Sequence, residues 1–479
     1  MIAVGRWGVA VRVAALGAGV LGAGAGASAQ CAQWRWSTAE GVPGLSGGGV
    51  YALCGLADGS VVAGGTFTSA GGAPVRGLAR LAPGAGGGGS GGAWADLGGG
   101  VDGPVLALAA LGASRVAVGG LFSSVGAGAG LKPYGSAAVW DGAAWVSPGP
   151  VAGAVYALAV GPGSGGGGGT LYAGGGFVTA GSAPARTVNY VARLDGPAGA
   201  GGVWRPLECA GGPAGAAGGV AGGIGSVRAL LPTLGAGAGG TVVCAGGFAR
   251  ANCAGSSLSA GVALWSQAAD GASWAWAGLG GGVPSASAVQ ALARGPGGSV
   301  LAAVTPSSSA DARFVWRWDG SAWTPVGTFF SATGSLGYVR TLATLPDGRV
   351  AAGGGFAGVD GVPAANLAVW DGAAWAAAAP GAALDGAVTA LAVSPRGDLW
   401  VGGDFTRVAA GRPAAGVARL TRSPACPADF DCSGAADLAD IFGFLAAWFA
   451  GDPRADFDGA GGVALPDIFA FLTAWFAGC

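Results

Sequence analysis

The amino-acid sequence predicts a mainly-β protein: a seven-bladed β-propeller closed by its N-terminal strand, followed by a small all-α C-terminal domain. Three features carry that expectation. A strand signature recurs seven times; the seventh repeat lacks a Trp strand that the N-terminus supplies; and an Asp-rich loop with its helix is duplicated near the C-terminus.

Composition narrows the function classes. The chain has 479 residues, of which 104 are Gly, and it is 51% hydrophobic but only 10% charged. So apolar a chain is not intrinsically disordered, and glycines in runs with no three-residue period exclude collagen. A formal net charge of -1 offers no basic stripe to nucleic acid. Histidine is absent, which removes Ser-His-Asp and Cys-His triads, His-ligated haem and His-based zinc or copper sites.

Residues 1–29 read as a signal peptide. Arg6 and Arg12 give a positive start, Ala14 to Ala25 a Gly/Ala/Val/Leu run, and Ala27-Ser28-Ala29 a small-x-small cleavage site. The run is too short and Gly-rich for a membrane span, no other stretch reads as one, and Gln30 ahead of Cys31 argues against a lipoprotein. Cleavage near Ala29 would leave the protein secreted or at the cell surface, extracellular or periplasmic. Export makes disulfides the expectation for the eight cysteines.

From Val50 the body repeats. A strand Val-x-Ala-Leu, or a close variant, starts at Val50, Val105, Val155, Val227, Val289, Val339 and Val388. A second apolar run closes in Gly-Gly-x-Phe or Gly-Gly-Phe at Phe67, Phe122, Phe177, Phe248, Phe356 and Phe405, with Val300-Leu301-Ala302-Ala303 in the fifth repeat. A third run is typified by Leu78-Ala79-Arg80-Leu81, and three repeats follow it with Asp-Gly, at Asp141, Asp319 and Asp371. Asp-Gly suits a type I′ hairpin, in which both central residues take positive φ. The fourth strand carries a Trp, at Trp94, Trp145, Trp204, Trp276, Trp323 and Trp375. Four short antiparallel strands in roughly 50 residues describe a propeller blade.

The seventh repeat ends at Leu420 without its Trp strand, while Trp34-x-Trp36 precedes the first repeat. The N-terminal strand is therefore expected to complete the last blade and remove the open sheet edges. The order Asp-Gly, apolar strand, Gly-Gly-x-Phe, Leu-Ala-Arg-Leu resembles the delta-60 family of bacterial propeller repeats over most of residues 47–420. That resemblance implies a propeller and no single activity. The expected bounds are 30–420 for the propeller and 421–425 for a linker.

Within the propeller, Gly64-Gly65 and its equivalents are expected to let neighbouring blades approach closely. Gly44-Leu45-Ser46-Gly47-Gly48 fits a nucleophile elbow in letters only, because no His exists to activate Ser46. Glu40 and Glu208 are the only glutamates. Asp102 and Asp385 hold matching positions ahead of the first strands of blades two and seven. A glycosidase-like acid/base pair is set against a turn role there, and the turn role is preferred. Cys31 and Cys54 near the ring closure, and Cys244 and Cys253 flanking one hairpin with Cys209 nearby, are candidate pairs among many connectivities.

From Cys426 to Cys479 the chain carries eight Asp against the single cation Arg454. Asp429, Asp431, Asp440, Ile441, Phe442, Phe444, Leu445, Trp448 and Phe449 recur 27 residues later as Asp456, Asp458, Asp467, Ile468, Phe469, Phe471, Leu472, Trp475 and Phe476. Leu438, Ile441, Phe442, Leu445, Trp448 and Phe449 have the i, i+3, i+4, i+7 spacing of an amphipathic helix. Ahead of it, Asp429, Asp431, Ser433, Asp437 and Asp440 fall at the oxygen-ligand positions of a twelve-residue calcium loop. Gly434 stands at the sharp turn, and Ala435 would give its carbonyl. The second loop keeps Asp456, Asp458 and Asp467 with Gly461, but Ala460 and Ala464 replace two side-chain ligands. Weaker Ca2+ binding, or water in their place, is expected there.

Two such loops, each followed by one helix, resemble the type I dockerin. The Cys-Pro-Ala-Asp-Phe opening and Trp-Phe-Ala-Gly-Cys ending resemble the GC-type dockerin over residues 426–479. The resemblance implies calcium-stabilised folding and docking to a cohesin-like or other surface protein. It also implies pseudo-twofold packing that brings the ends together, so that Cys426 and Cys479 form a disulfide contributing about 4 kcal/mol through chain entropy. Cys432 is then unpaired or paired outside the module. Leu438-Ala439 and Leu465-Pro466 depart from the polar pair that usually reads a cohesin.

The resulting expectation is an exported, non-enzymatic propeller, binding or scaffolding, held to a surface or assembly through a Ca2+-dependent module. A carbohydrate or a protein is the class of ligand foreseen on the propeller. The alternatives are a dockerin-tethered carbohydrate-active enzyme and a self-associating structural surface protein.

Overall fold

The computed structural model describes residues 34–36, 44–83, 92–161, 169–182, 184–196, 201–207, 219–221, 225–233, 241–252, 260–267, 274–284, 286–308, 313–331, 337–379, 383–409, 411–422, 428–430, 436–452, 455–458 and 462–477. The segment expected as signal peptide lies outside them. Two compact units divide the chain, Trp34–Arg422 and one containing Ser423–Cys479.

The larger unit has a mainly-β, propeller-like fold. Among its described residues, seven antiparallel sheets have four strands each. The first sheet runs Val50–Gly55, Val61–Gly65, Leu78–Leu81 and Trp94–Asp96, in that order. In the sheet of Val388–Val393, Leu399–Gly403 and Val417–Arg422, the outer strand is Trp34–Trp36. Trp36 pairs there with Leu420, as Trp94 pairs with Leu81 in the first sheet. The Val417 strand continues through Arg422, two residues into the expected linker, because Thr421 and Arg422 pair with Arg35 and Trp34.

Consecutive first strands lie side by side, and Val388–Val393 lies in turn against Val50–Gly55. Thr389 Oγ1 donates to the Val50 carbonyl, and Leu53, Val61 and Ala63 share one apolar core with Ala390, Trp400 and Val417. The Gly-Gly signature follows from this packing. A Cβ on Gly64 would sit 2.4 Å from Val105 Cγ1, and one on Gly402 would sit 2.8 Å from Val50 Cγ1. The first Gly of the pair thus makes room for the Val that opens the next first strand.

The recurrent Trp has a role that the sequence reading missed. Trp145 Nε1 donates to the Gly98 carbonyl at 2.8 Å, Trp204 to Gly149 at 3.1 Å and Trp323 to Leu279 at 2.9 Å. Trp276 and Trp375 do the same to Leu207 and Val326. Each acceptor follows the outer strand of the preceding sheet, so in five of the seven sheets one indole ties the sheet to its predecessor. A large apolar ring with a single polar edge is suited to that place.

Two expectations need correction, and one feature lies beyond them. The Asp-Gly turns are not type I′: Trp140 pairs with Trp145, leaving a four-residue connection in which Gly142 has φ 111° and Asp141 no positive φ. Asp141 Oδ1 instead accepts the N–H groups of Ala143 and Ala144 at 2.9 and 2.8 Å, and Asp319 and Asp371 repeat the pattern. A short carboxylate caps its own turn, so that only the Gly and not the Asp takes positive φ. Small extra sheets such as Leu45–Ser46 with Ser69–Ala70 and Ala73–Pro74 accompany the blades. Two-residue strands carry no periodicity to read. Secondly, Cys54 and Cys244 are free and buried, so the pairings weighed for them are not made. Burial pushes the Cys54 thiol up to about 12, and the Cys244 thiol is raised too. The other six cysteines lie outside the described residues.

In the smaller unit the described elements are helix α1, Leu438–Phe449, and helix α2, Leu465–Ala477. No helix among the described residues is long and apolar enough to cross a membrane.

Candidate metal loops

Each helix starts on a carboxylate of its loop. Asp437 caps α1, its Oδ1 accepting from Ala439 N at 2.8 Å, while Asp440 Oδ2 accepts from Asp437 N at 2.8 Å. At the equivalent cap position of α2 stands Ala464, whose N–H still donates to Asp467 Oδ2 at 2.7 Å. Asp467 Oδ1 also accepts from Phe457 N and Asp458 N at 2.7 and 3.0 Å, which folds the start of the second loop onto the helix. Desolvation works to raise the Asp467 pKa, but these backbone N–H groups outweigh it and hold the carboxyl below its ordinary value.

In the second loop, ligand oxygens of Asp456, Asp458 and Asp467 all lie within 4.8 Å of one another. Asp467 is buried, Asp456 half-buried and Asp458 exposed. In the first loop, Asp429 and Asp440 are buried, whereas Asp431, Ser433 and Ala435 lie outside the described residues. Eight carboxylates against one cation in residues 426–479 leave the segment unable to neutralise itself by internal ion pairs. The donors are all oxygen, the set preferred by a hard divalent cation such as Ca2+. The residues present therefore fit that ion.

The two halves interlock. Phe444 and Phe471 stack with centroids 4.2 Å apart and planes 1° from parallel. Phe430 and Phe457 meet this pair edge-on. Trp448 Nε1 donates to the Ala464 carbonyl at 2.8 Å, and Trp475 Nε1 to the Asp437 carbonyl at 2.9 Å. The sequence reading passed over Phe430 and Phe457, although their own 27-residue offset marks them as part of the duplication.

Helical spacing placed Phe442 and Phe449 on the apolar face with the core. They are instead 69% and 78% exposed, and their counterparts Phe469 and Phe476 are 63% and 79% exposed. Leu438 and Leu465 are exposed beside them. With only two short helices, the core takes a narrow stripe centred on Phe444 and Phe471 and leaves a second apolar stripe outside.

The propeller carboxylates serve local structure. Asp102 accepts from Ser123 N, Ser123 Oγ and Ser124 N at 2.8, 2.6 and 2.9 Å. Asp385 accepts from Thr406 N, Thr406 Oγ1 and Arg407 N at 2.7, 2.6 and 2.8 Å. Both carboxyls, though partly desolvated, are held below the ordinary range by these donors. Each clamps the entry to a first strand onto the turn after the Gly-Gly-x-Phe run. Ser46 sits in a two-residue strand paired with Ser69, not at a strand–helix elbow.

Comparison with known proteins bears on the larger unit. Residues 56–84 match a family described as a domain of unknown function (DUF5122) beta-propeller. No curated protein sequence matches significantly. Among solved structures, the chain is similar to the WD40 repeats of RRP9, with 12% identity over 81% of this chain and 99% of that one, and a TM-score of 0.46. It is similar to the WD40 propeller of Doa1, with 11% identity over 81% and 97% and a TM-score of 0.42. A gluconolactonase from Xanthomonas campestris gives 13% identity over 84% and 99%, with a TM-score of 0.34. Enzymes and non-enzymes stand side by side here, and no activity follows from these likenesses.

Proposed function

We propose that the chain is an exported β-propeller binding or scaffold protein, attached to a surface or multiprotein assembly through a calcium-dependent, dockerin-like module. The propeller half is read as a closed ring of seven blades completed by Trp34–Trp36, supported by the pairing of Trp36 with Leu420 and the Thr389 bond to Val50. In the module, Asp429, Asp431, Ser433, Ala435, Asp437 and Asp440 would hold one Ca2+, and Asp456, Asp458 and Asp467 a second, weaker one. Bound there, the ion supplies the positive charge that the segment lacks. Asp437 and Asp440 meanwhile fix the start of α1, and Asp467 the start of α2.

The observation that carries the attachment reading is the twice-repeated exposed aromatic stripe, Phe442 with Phe449 and Phe469 with Phe476. Large apolar groups left in water on a small unit mark an interaction surface. Leu438 and Leu465 extend it, so the surface bound is apolar, a cohesin-like or other surface protein being the partner class. The enzyme reading is disfavoured because Asp102 and Asp385 already accept three hydrogen bonds each.

Retention of the full chain on cell-envelope material, with calcium and with chelator, tests the reading. Calcium-dependent retention that is lost in Phe442→Ser/Phe469→Ser supports it. Retention indifferent to both overturns it, and calcium-dependent oligomers without retention favour the self-associating alternative.

A further inference from the structure

All seven first strands carry a β-bulge at the same place. Pairing with the second strand skips one residue after the opening Val: Tyr51, Leu106 and Tyr156 in the first three sheets, then Arg228, Gln290, Arg340 and Thr389. Each skipped residue occupies the variable position of the Val-x-Ala-Leu signature. A bulge frees a residue from the ladder and re-aims its side chain. All seven line one cavity of about 560 Å³, which also draws on the Ala and Leu positions of the same strands. Its volume falls in the range of small-molecule sites.

The bulged side chains are not equivalent around the ring. Arg228, Gln290, Arg340 and Thr389 come from consecutive sheets and form a polar arc, flanked by Tyr156 and Tyr51, with Leu106 opposite. Among the described residues, the two arginines are the only charged ones lining the cavity. Arg228 is held in place: Nη1 donates to Gln290 Oε1 at 3.0 Å, Gln290 Nε2 donates to Thr305 Oγ1 at 2.8 Å, and the guanidinium lies 6.0 Å from the Tyr156 ring centre. Its Nε is buried without a hydrogen-bond partner. Arg340 is exposed and, among the described residues, makes no hydrogen bond or ion pair. Two guanidinium forks with donors to give, with no carboxylate among the described lining residues, fit an oxyanion. The tyrosines beside them offer flat faces with polar edges.

We infer that this cavity binds an acidic saccharide, the arginines taking its carboxylate or sulfate and Tyr51 and Tyr156 its ring. The inference rests on reading the propeller as a binding module and names the ligand class of that module. Calorimetric titration of the full chain with galacturonate, galactose 6-sulfate and galactose tests it, and the first two distinguish the source of the charge. One-to-one binding of either acid, with none of galactose, is expected. Arg340→Gln, which disturbs no partner, should weaken it at least tenfold while leaving the melting temperature unchanged. Galactose binding as tightly as the acids, no binding by either acid, or full affinity in Arg340→Gln would overturn the site. So would a peptide carboxyl terminus binding where both acids fail. If the acids fail while calcium-dependent retention persists, the attachment reading stands and this site alone falls.

Discussion

Trp448 reaches across the duplication to Ala464, its indole N–H 2.8 Å from that carbonyl, and Trp475 returns the contact to Asp437 at 2.9 Å. Each helix thereby anchors the ninth position of the other half's loop, and neither loop is set by its own segment alone. Removing one such bond while keeping the ring, as in Trp475→Phe, should destabilise the small unit by about 1 kcal/mol. It should also weaken calcium at the first loop several-fold. Calorimetry of the full chain would read both, and unchanged values would show that the cross-contacts do not position the loops.

The stacked pair beneath those contacts is the core of the small unit. Phe444 and Phe471 are fully buried, and truncating either to Ala should cost about 3–5 kcal/mol. That is enough to unfold so small a unit. Loss of its calorimetric transition with the propeller transition retained is the expected result; a shift of a degree or two would place the core elsewhere.

Much of this was legible in the letters, for physical reasons that also explain the gaps. Val-x-Ala-Leu, Gly-Gly-x-Phe and the Trp strand repeat because each blade packs on the next in one way. The Cβ of Gly64 would strike Val105, so the Gly had to recur. What stayed hidden lacks periodicity or needs the third dimension. The variable residue after each opening Val looked like noise until the bulges placed Tyr51, Arg228 and Arg340 in one cavity. Phe442 and Phe449 carry the same spacing as core residues, and only the narrowness of a two-helix core leaves them outside.

Close approach between the outermost repeats is testable at Gly402. Its Ala variant would place Cβ 2.8 Å from Val50 Cγ1, and about 1–3 kcal/mol of destabilisation is expected from such overpacking. Gly112, where an added Cβ meets nothing within 4 Å, is the control and should tolerate Ala. Equal melting temperatures for the two variants would remove the packing argument.

The carboxylate clamps set an acid limit. Asp102, Asp371 and Asp385 are held below their ordinary pKa and Asp319 at about 2. A depressed folded-state pKa contributes stability that is present above the unfolded value of about 3.9 and lost as pH falls through the folded one. The melting temperature of the propeller should therefore be flat down to roughly pH 4 and fall below it. Asp385→Asn should melt lower at pH 7 and show a shallower fall. A wild-type curve flat to pH 2 would show that the clamps do not contribute.

Cys54 and Cys244 are shielded and, with raised pKa, carry almost no thiolate at neutral pH. Alkylation of the native chain followed by mass mapping should leave both unmodified, and denaturation should expose both. Labelling of either in the native state would show that the sheets open there.

Calcium titration into the full chain, followed by calorimetry, tests the C-terminal unit most directly. One tight site and one weaker site are expected, since the second loop has Ala460 and Ala464 where the first has Ser433 and Asp437. Asp437→Asn, which preserves the helix cap, should weaken the tight site at least tenfold and leave the other unchanged. No binding, or two sites of equal affinity that Asp437→Asn does not alter, would contradict a calcium module at the end of this propeller.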